Sequence, residues 1–256
     1  MNTVDMAAGQ ASERRAETNV NRTRRSRALR EVAIGYVAVS AFLIAVGMFL
    51  TRVIEHSSLL AWDSRFVRDL SMHRTTALVQ WSSRWSFLAD APSIVAIGAA
   101  VALIGAIRRQ WLHVLWLATV LALELAVFLT VSYTVGRERP DVAHLGSVPS
   151  TGSFPSGHIA ATITLYGTIA LLVRLVTRNH WARIVAWGWT LIAASMVGWA
   201  RIYRGMHHPL DVGAGALLGT AICVIGWRGF GPGKSGPSAE RKTVNDISSH
   251  DPKEHR

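Results

Sequence analysis

The 256-residue chain has a single cysteine, Cys223, set inside an apolar block. No internal disulfide is possible, so the thiol reads as a small core residue. Charged residues are sparse at 17%, whereas half the chain is hydrophobic. Those apolar residues lack the 2.0- or 3.6-residue period of a water-facing strand or helix and come in long blocks. An ordinary soluble domain is excluded on that ground. No internal repeat is evident. The pattern of a cleaved signal peptide is also missing, because the first apolar block starts only at Val32, after a basic stretch.

What the chain does have is a series of apolar stretches of near-spanning length. The first runs uncharged from Val32 to Leu50 and reads as a retained span. Six spans are expected, at about Val32–Thr51, Ala91–Ile107, Trp111–Val131, His158–Val176, Ile184–Ala200 and Asp211–Trp227. Several uncharged cores are short, and flanking Arg and Trp extend them into the headgroup zone. The formal charge is +11. Its basic residues flank apolar blocks, which fits a bilayer surface and argues against a nucleic-acid partner.

Three domains follow: a polar, Arg-rich tail over 1–30, a membrane domain over 31–228, and a Gly-, Pro- and Ser-rich tail over 229–256. Both tails are expected to be disordered. Between the first two spans, Glu55–Asp90 carries Trp62, Phe66, Trp81 and Trp85 among charges, as amphipathic helices on a bilayer would. Trp62, Trp81, Trp85 and Trp199 form an expected aromatic belt at one interface, and Trp111, Trp181 and Trp227 at the other. Eighteen of the 27 Lys and Arg fall on the side of the two termini. The positive-inside rule therefore puts both termini in the cytoplasm and three connections outside.

Two of those outer connections hold most of the unusual polar residues. In Ser132–Val142, Arg137 and Arg139 stand two apart against the charge bias. They read either as headgroup-snorkelling side chains or as a guanidinium fork for phosphate. Pro155-Ser156-Gly157-His158 lies where the fourth span begins, so its backbone N–H groups face outward at the positive end of a helix dipole. A chance N-terminal turn would look the same. In Trp199–Gly215, His207 and Asp211 are four residues apart and able to meet across one turn, with Arg201 nearby. That Asp serves either as a helix cap or to orient a catalytic imidazole. His208 directly follows His207 and competes for its role. Glu124, inside the third span, is costly there and reads as a structural hydrogen-bonding group ahead of a catalytic one.

As an ordered set, these motifs resemble the type 2 phosphatidic acid phosphatase family. Its signature is Lys-x6-Arg-Pro, then Pro-Ser-Gly-His, then Ser-Arg-x5-His-x3-Asp. The matches here are Arg139-Pro140, Pro155 to His158, and Arg201, His207 and Asp211 at the same spacings. Ser132 stands in the place of the family's lysine and Ala200 in that of its serine. The resemblance implies an all-α polytopic membrane bundle of six transmembrane helices, with an acid phosphatase–haloperoxidase-like core. It further implies a lipid phosphate or diphosphate substrate, and neither metal nor cofactor.

His207 would attack phosphorus to give a phosphohistidine, Asp211 would orient it, and His158 would protonate the leaving oxygen and later activate water. Arg139, Ser156, Gly157 and Arg201 would hold the phosphoryl oxygens, with Arg137 as an additional candidate. The expected setting is a bacterial-type cell membrane with the site on its outer side. Three rival readings are a catalytically weak or inactive homologue that binds or transports lipid phosphates, a vanadate-dependent haloperoxidase, and a membrane-docked DNA or RNA binder, whose clustered basic residues are not found here. The long apolar spans argue against the second.

Overall fold

The computed structural model describes residues 3–232, which are helix and connecting loop with no strand among them. Helix α1 (Thr3–Met48) continues into a wider π turn over Phe49–Val53. Two short helices follow, α2 (Ser58–Met72) and α3 (Thr76–Phe87), and then five longer ones: α4 (Ala91–Ile107), α5 (Trp111–Val135), α6 (Gly157–Val176), α7 (His180–Tyr203) and α8 (Pro209–Phe230).

Each of the six expected spans is helical. Ser26–Val53, the end of α1 with its π turn, and likewise α5, α6 and α8, are long and apolar enough to cross a membrane unaided. Helix α4 qualifies only when joined to α3, from which it bends by 44°. In α7, four Trp, two Gly and two Arg dilute the aliphatic residues, and it is not among the helices that qualify. Six is therefore an approximate count on that measure.

Residues 3–30, expected as a disordered tail, are instead the first part of α1. Ala and Arg are frequent there and favour helix, and no proline interrupts it. Of the expected C-terminal tail, residues 233–256 lie outside the described residues. The Glu55–Asp90 segment does form two helices of amphipathic pattern. Ser57 and Thr75 start them by accepting the N–H groups of Leu60 and Leu78 on their side-chain oxygens. Helix α2 turns Asp63 and Val67 inward and leaves Trp62 and Phe66 exposed.

Helix α6 is the centre of the bundle, packed along α7 and α8 and in contact with α5 and α4. Its neighbour α8 comes unusually near. A Cβ on Gly219 would sit 2.7 Å from the Ala160 carbonyl oxygen, and one on Gly215 would collide with the Ser156 backbone. These two glycines, four apart, let two helix backbones approach as small residues do in membrane bundles. The α7–α8 turn is thereby held against the first turn of α6. Helix α1 covers α5 and α8 from the other side, with Leu43, Val120, Val127 and Leu218 in the shared core and a Tyr36–Thr130 hydroxyl pair at 2.8 Å.

Gly136, left-handed at φ 60°, ends α5 and releases the chain into a loop over 137–156. Backbone bonds tie this loop down at three places: Leu145 N–H to Arg204 O, Ser153 N–H to Arg137 O, and Ser156 N–H to Asp211 O. The three motif segments are thus drawn together at one end of the bundle by main-chain geometry.

Candidate active site

A cavity of about 630 Å³ opens at that end. One part is walled by apolar residues of α4 and α5, among them Ile94, Ala102, Leu121 and Leu125. The other part is lined by Arg139, Gly152, Gly157, His158, Arg201 and His207. Of the candidates read from sequence, Arg139, Gly157, His158, Arg201 and His207 share this space, although they come from two loops and two helix ends.

His207 is 3% exposed, and its Nδ1 lies 2.8 Å from the Ser153 carbonyl oxygen. A carbonyl can only accept, so Nδ1 carries the hydrogen and Nε2 keeps its lone pair. Burial holds the His207 ring well below the ordinary histidine range, and the nearby charges of Arg201, Arg139 and His158 add to it. The ring is neutral at pH 7 and nucleophilic at Nε2.

The guanidinium of Arg139 donates to the Met206 carbonyl at 2.7 Å and to the Thr151 carbonyl at 3.2 Å, which fixes it in the cavity wall. Arg201, 5% exposed, donates from Nη1 to the Ser86 hydroxyl at 3.1 Å, while its Nε has no partner among the described residues. His158 lies at the start of α6 with Nε2 3.0 Å from Asp90 Oδ1. That bond holds the Asp90 carboxyl below the usual carboxylate range. Over Gly157 the ring of Phe128 occupies the place a Cβ would take, at 2.8 Å. A side chain there would have to displace it.

Four expectations need correction. Asp211 does not pair with His207. As the third residue of α8 it folds back on the helix N-cap, accepting the His208 N–H at 2.8 Å and lying 3.2 Å from His208 Nδ1. His208 is thereby a capping residue, and His207, one position earlier, faces the cavity. Arg137 does not form a phosphate fork either. It is 8% exposed and bridges Asp211 and Asp63, the latter at 2.7 Å, away from the cavity lining.

The Ser156 side chain is fully buried against Gly215 of α8, without a partner among the described residues, and is not part of the cavity wall. Its backbone position still sets the start of α6. Glu124, expected to hydrogen-bond within the bundle, makes no such bond among the described residues and lines the apolar part of the cavity. The family-lysine position, Ser132, is fully buried, and its hydroxyl donates to the Gly152 carbonyl at 3.3 Å. There it fastens the loop.

Asp63, Ser86, Asp90 and Ser153 carry weight that the motif reading did not assign. Ser153 acts through its main chain, which no side-chain pattern reports. The other three lie in the amphipathic segment, where Asp63 and Ser86 turn inward among exposed charges and Asp90 stays partly exposed at the start of α4.

Residues 113–232 match the model of the PAP2 superfamily. YbjG of Escherichia coli (strain K12), which bears an undecaprenyl-diphosphatase name, is 32% identical over 122 residues, or 43% of this chain and 57% of that protein. An undecaprenyl-diphosphatase of Sulfolobus acidocaldarius is 42% identical over 77 residues, covering 30% of this chain and 33% of the relative. The chain thus spans from a third to just over half of these relatives' lengths. The crystal structure of a transmembrane PAP2-type phosphatidylglycerolphosphate phosphatase from Bacillus subtilis superposes with a TM-score of 0.62. It is 24% identical and covers 73% of this chain and 93% of that one, a likeness of fold.

Proposed function

With residues 113–232 belonging to the PAP2 superfamily, we propose that this chain is an integral membrane phosphohydrolase acting on a lipid phosphate or diphosphate. One observation carries the reading. A single cavity joins an apolar groove between α4 and α5 to a pocket of two guanidiniums and two imidazoles. An apolar tail fits the first part and a phosphoryl group the second.

In the proposed chemistry, Nε2 of His207 attacks phosphorus in line, forming an N–P bond as the ester P–O bond breaks. His158 gives a proton to the departing oxygen. It then takes one from the water that cleaves the phosphohistidine and frees phosphate. Arg139, Arg201 and the Gly157 N–H group stabilise the charge that spreads over the equatorial oxygens. The Ser153 carbonyl does the orienting first assigned to Asp211. None of these steps requires a metal. The Lys and Arg bias toward the side of the termini supports placing the site at the outer face of a cell membrane.

The test is phosphate release from lipid phosphates by the purified protein in detergent with excess EDTA. Turnover is expected, with inhibition by vanadate as a mimic of the transferring group. A strict requirement for added divalent metal would contradict the chemistry, and tight binding without turnover would favour a lipid-phosphate carrier.

A further inference from the structure

Asp90 occupies the N-cap of α4 with extended backbone, where an Asp side chain ordinarily accepts N–H groups of the first turn. Its side chain makes no capping bond. The carboxylate instead crosses to α6, with Oδ1 3.0 Å from Nε2 of His158. A helix start is left uncapped while an imidazole gains a partner. Four residues earlier, the Ser86 hydroxyl accepts from Arg201. One turn, outside the residues matched by the PAP2 superfamily, therefore reaches two of the groups that line the cavity.

We infer that Asp90 is a positioning residue for His158: it accepts the Nε2–H, fixes the ring plane, and leaves Nδ1 to exchange protons with the substrate. The inference rests on His158 being the general acid of the proposed reaction. In the first step the Nδ1 proton passes to the ester oxygen as its bond to phosphorus breaks. In the second, Nδ1 takes a proton from the attacking water, and Nε2–H stays on the ring throughout. Nδ1 has no partner among the described residues, which leaves it free for this exchange.

The charges around the pair give the carboxylate its purpose. Among the described residues, the charges of Arg201 and Arg139 oppose an imidazolium at His158 and that of Asp90 favours it, while Glu124 lines the same cavity. Asp90 in turn faces Arg201 and Arg204 as well as His158, and these favour its anionic form. A carboxylate–imidazole bond stabilises the protonated ring and fixes which nitrogen does the chemistry.

Asp90→Asn and Asp90→Glu in the full chain test this. With a lipid phosphate substrate, the Asn variant should show the alkaline limb of kcat/KM at lower pH than wild type. Its kcat should fall about 10- to 100-fold with KM little changed, and Glu should restore part of the loss. An Asn profile that overlays wild type, or a loss wholly in KM, overturns the inference. Proton NMR supplies a readout free of turnover. A downfield ring N–H resonance, assigned by its absence in His158→Gln, should be present in wild type and missing in Asp90→Asn. Its persistence in the Asn variant overturns the pairing. A wild type that shows the resonance but releases no phosphate would sink the phosphohydrolase reading and leave the pairing intact.

Discussion

Two parts of the chain meet at the cavity and contribute in different ways. Residues 113–232 supply the groups that face its phosphate-binding end: Arg139, Gly157, His158, Arg201 and His207. The segment from α2 to the start of α4 supplies groups behind them: Asp63 on Arg137, Ser86 on Arg201 and Asp90 on His158. The first part concentrates positive charge where an anion will sit. Left alone, such a cluster repels itself, and burial makes that repulsion worse. The second part answers with carboxylates and a hydroxyl from an amphipathic pair of helices. The difference teaches that one region places the cations and imidazoles, while the other adds a second hold on Arg137, Arg201 and His158.

The sharpest test of this division is the nucleophile itself. His207→Ala should reduce turnover at least about 1000-fold, to background in a phosphate-release assay, because it removes the nitrogen that forms the covalent bond to phosphorus. Asp211→Asn, which touches His208 and Arg137 but not His207, should lose much less of its kcat per folded molecule. Equal losses in the two variants would restore Asp211 as the orienting group.

Asp63→Leu probes the holding region alone. The change leaves Arg137 with Asp211 as its remaining carboxylate and takes the acceptor from the Leu210 N–H, and about 1–3 kcal/mol of stability should be lost in detergent unfolding. An unchanged unfolding midpoint would show that α2 does not brace the site.

The acid limb of the pH–rate profile comes next in size. His207 must be neutral to attack, and burial with Arg201 and Arg139 pushes its proton affinity down. As pH falls through the ordinary histidine range near 6.5, the ring stays unprotonated and turnover persists. A limb centred at or above that range would contradict the buried, cation-flanked geometry.

Ser132→Ala should have the smallest effect. Its bond to the Gly152 carbonyl is long at 3.3 Å, and its loss should cost no more than about 1.5 kcal/mol in the same unfolding measurement. A large loss of turnover at unchanged stability would show that the serine does more than fasten the loop.

The helices were legible because a membrane demands long uncharged runs, and those appear directly in the residue order. His158, Arg139, Arg201 and His207 were legible because their spacing matches a known ordered set of motifs. What those motifs do not encode is which neighbour each side chain takes. Asp211 and His207 are four apart and able to meet, yet a helix N-cap outcompetes the imidazole for that carboxylate. Arg137 reads as equivalent to Arg139 in sequence, and the inward turn of Asp63, 74 residues earlier, separates them. Asp90 and Ser86 lie in a segment whose amphipathic pattern predicts helices but not their tertiary partners. The helical state of residues 3–30 was missed because polar composition says little about a segment that continues an existing helix.

The most direct measurement is a rapid quench of the purified protein with a lipid phosphate radiolabelled at phosphorus. Wild type should trap an acid-labile, base-stable label on the chain, and His207→Ala should trap none. A wild type that turns over without any trapped label on a step slow enough to see, or a label that survives in His207→Ala, would contradict a covalent reaction at the buried imidazole.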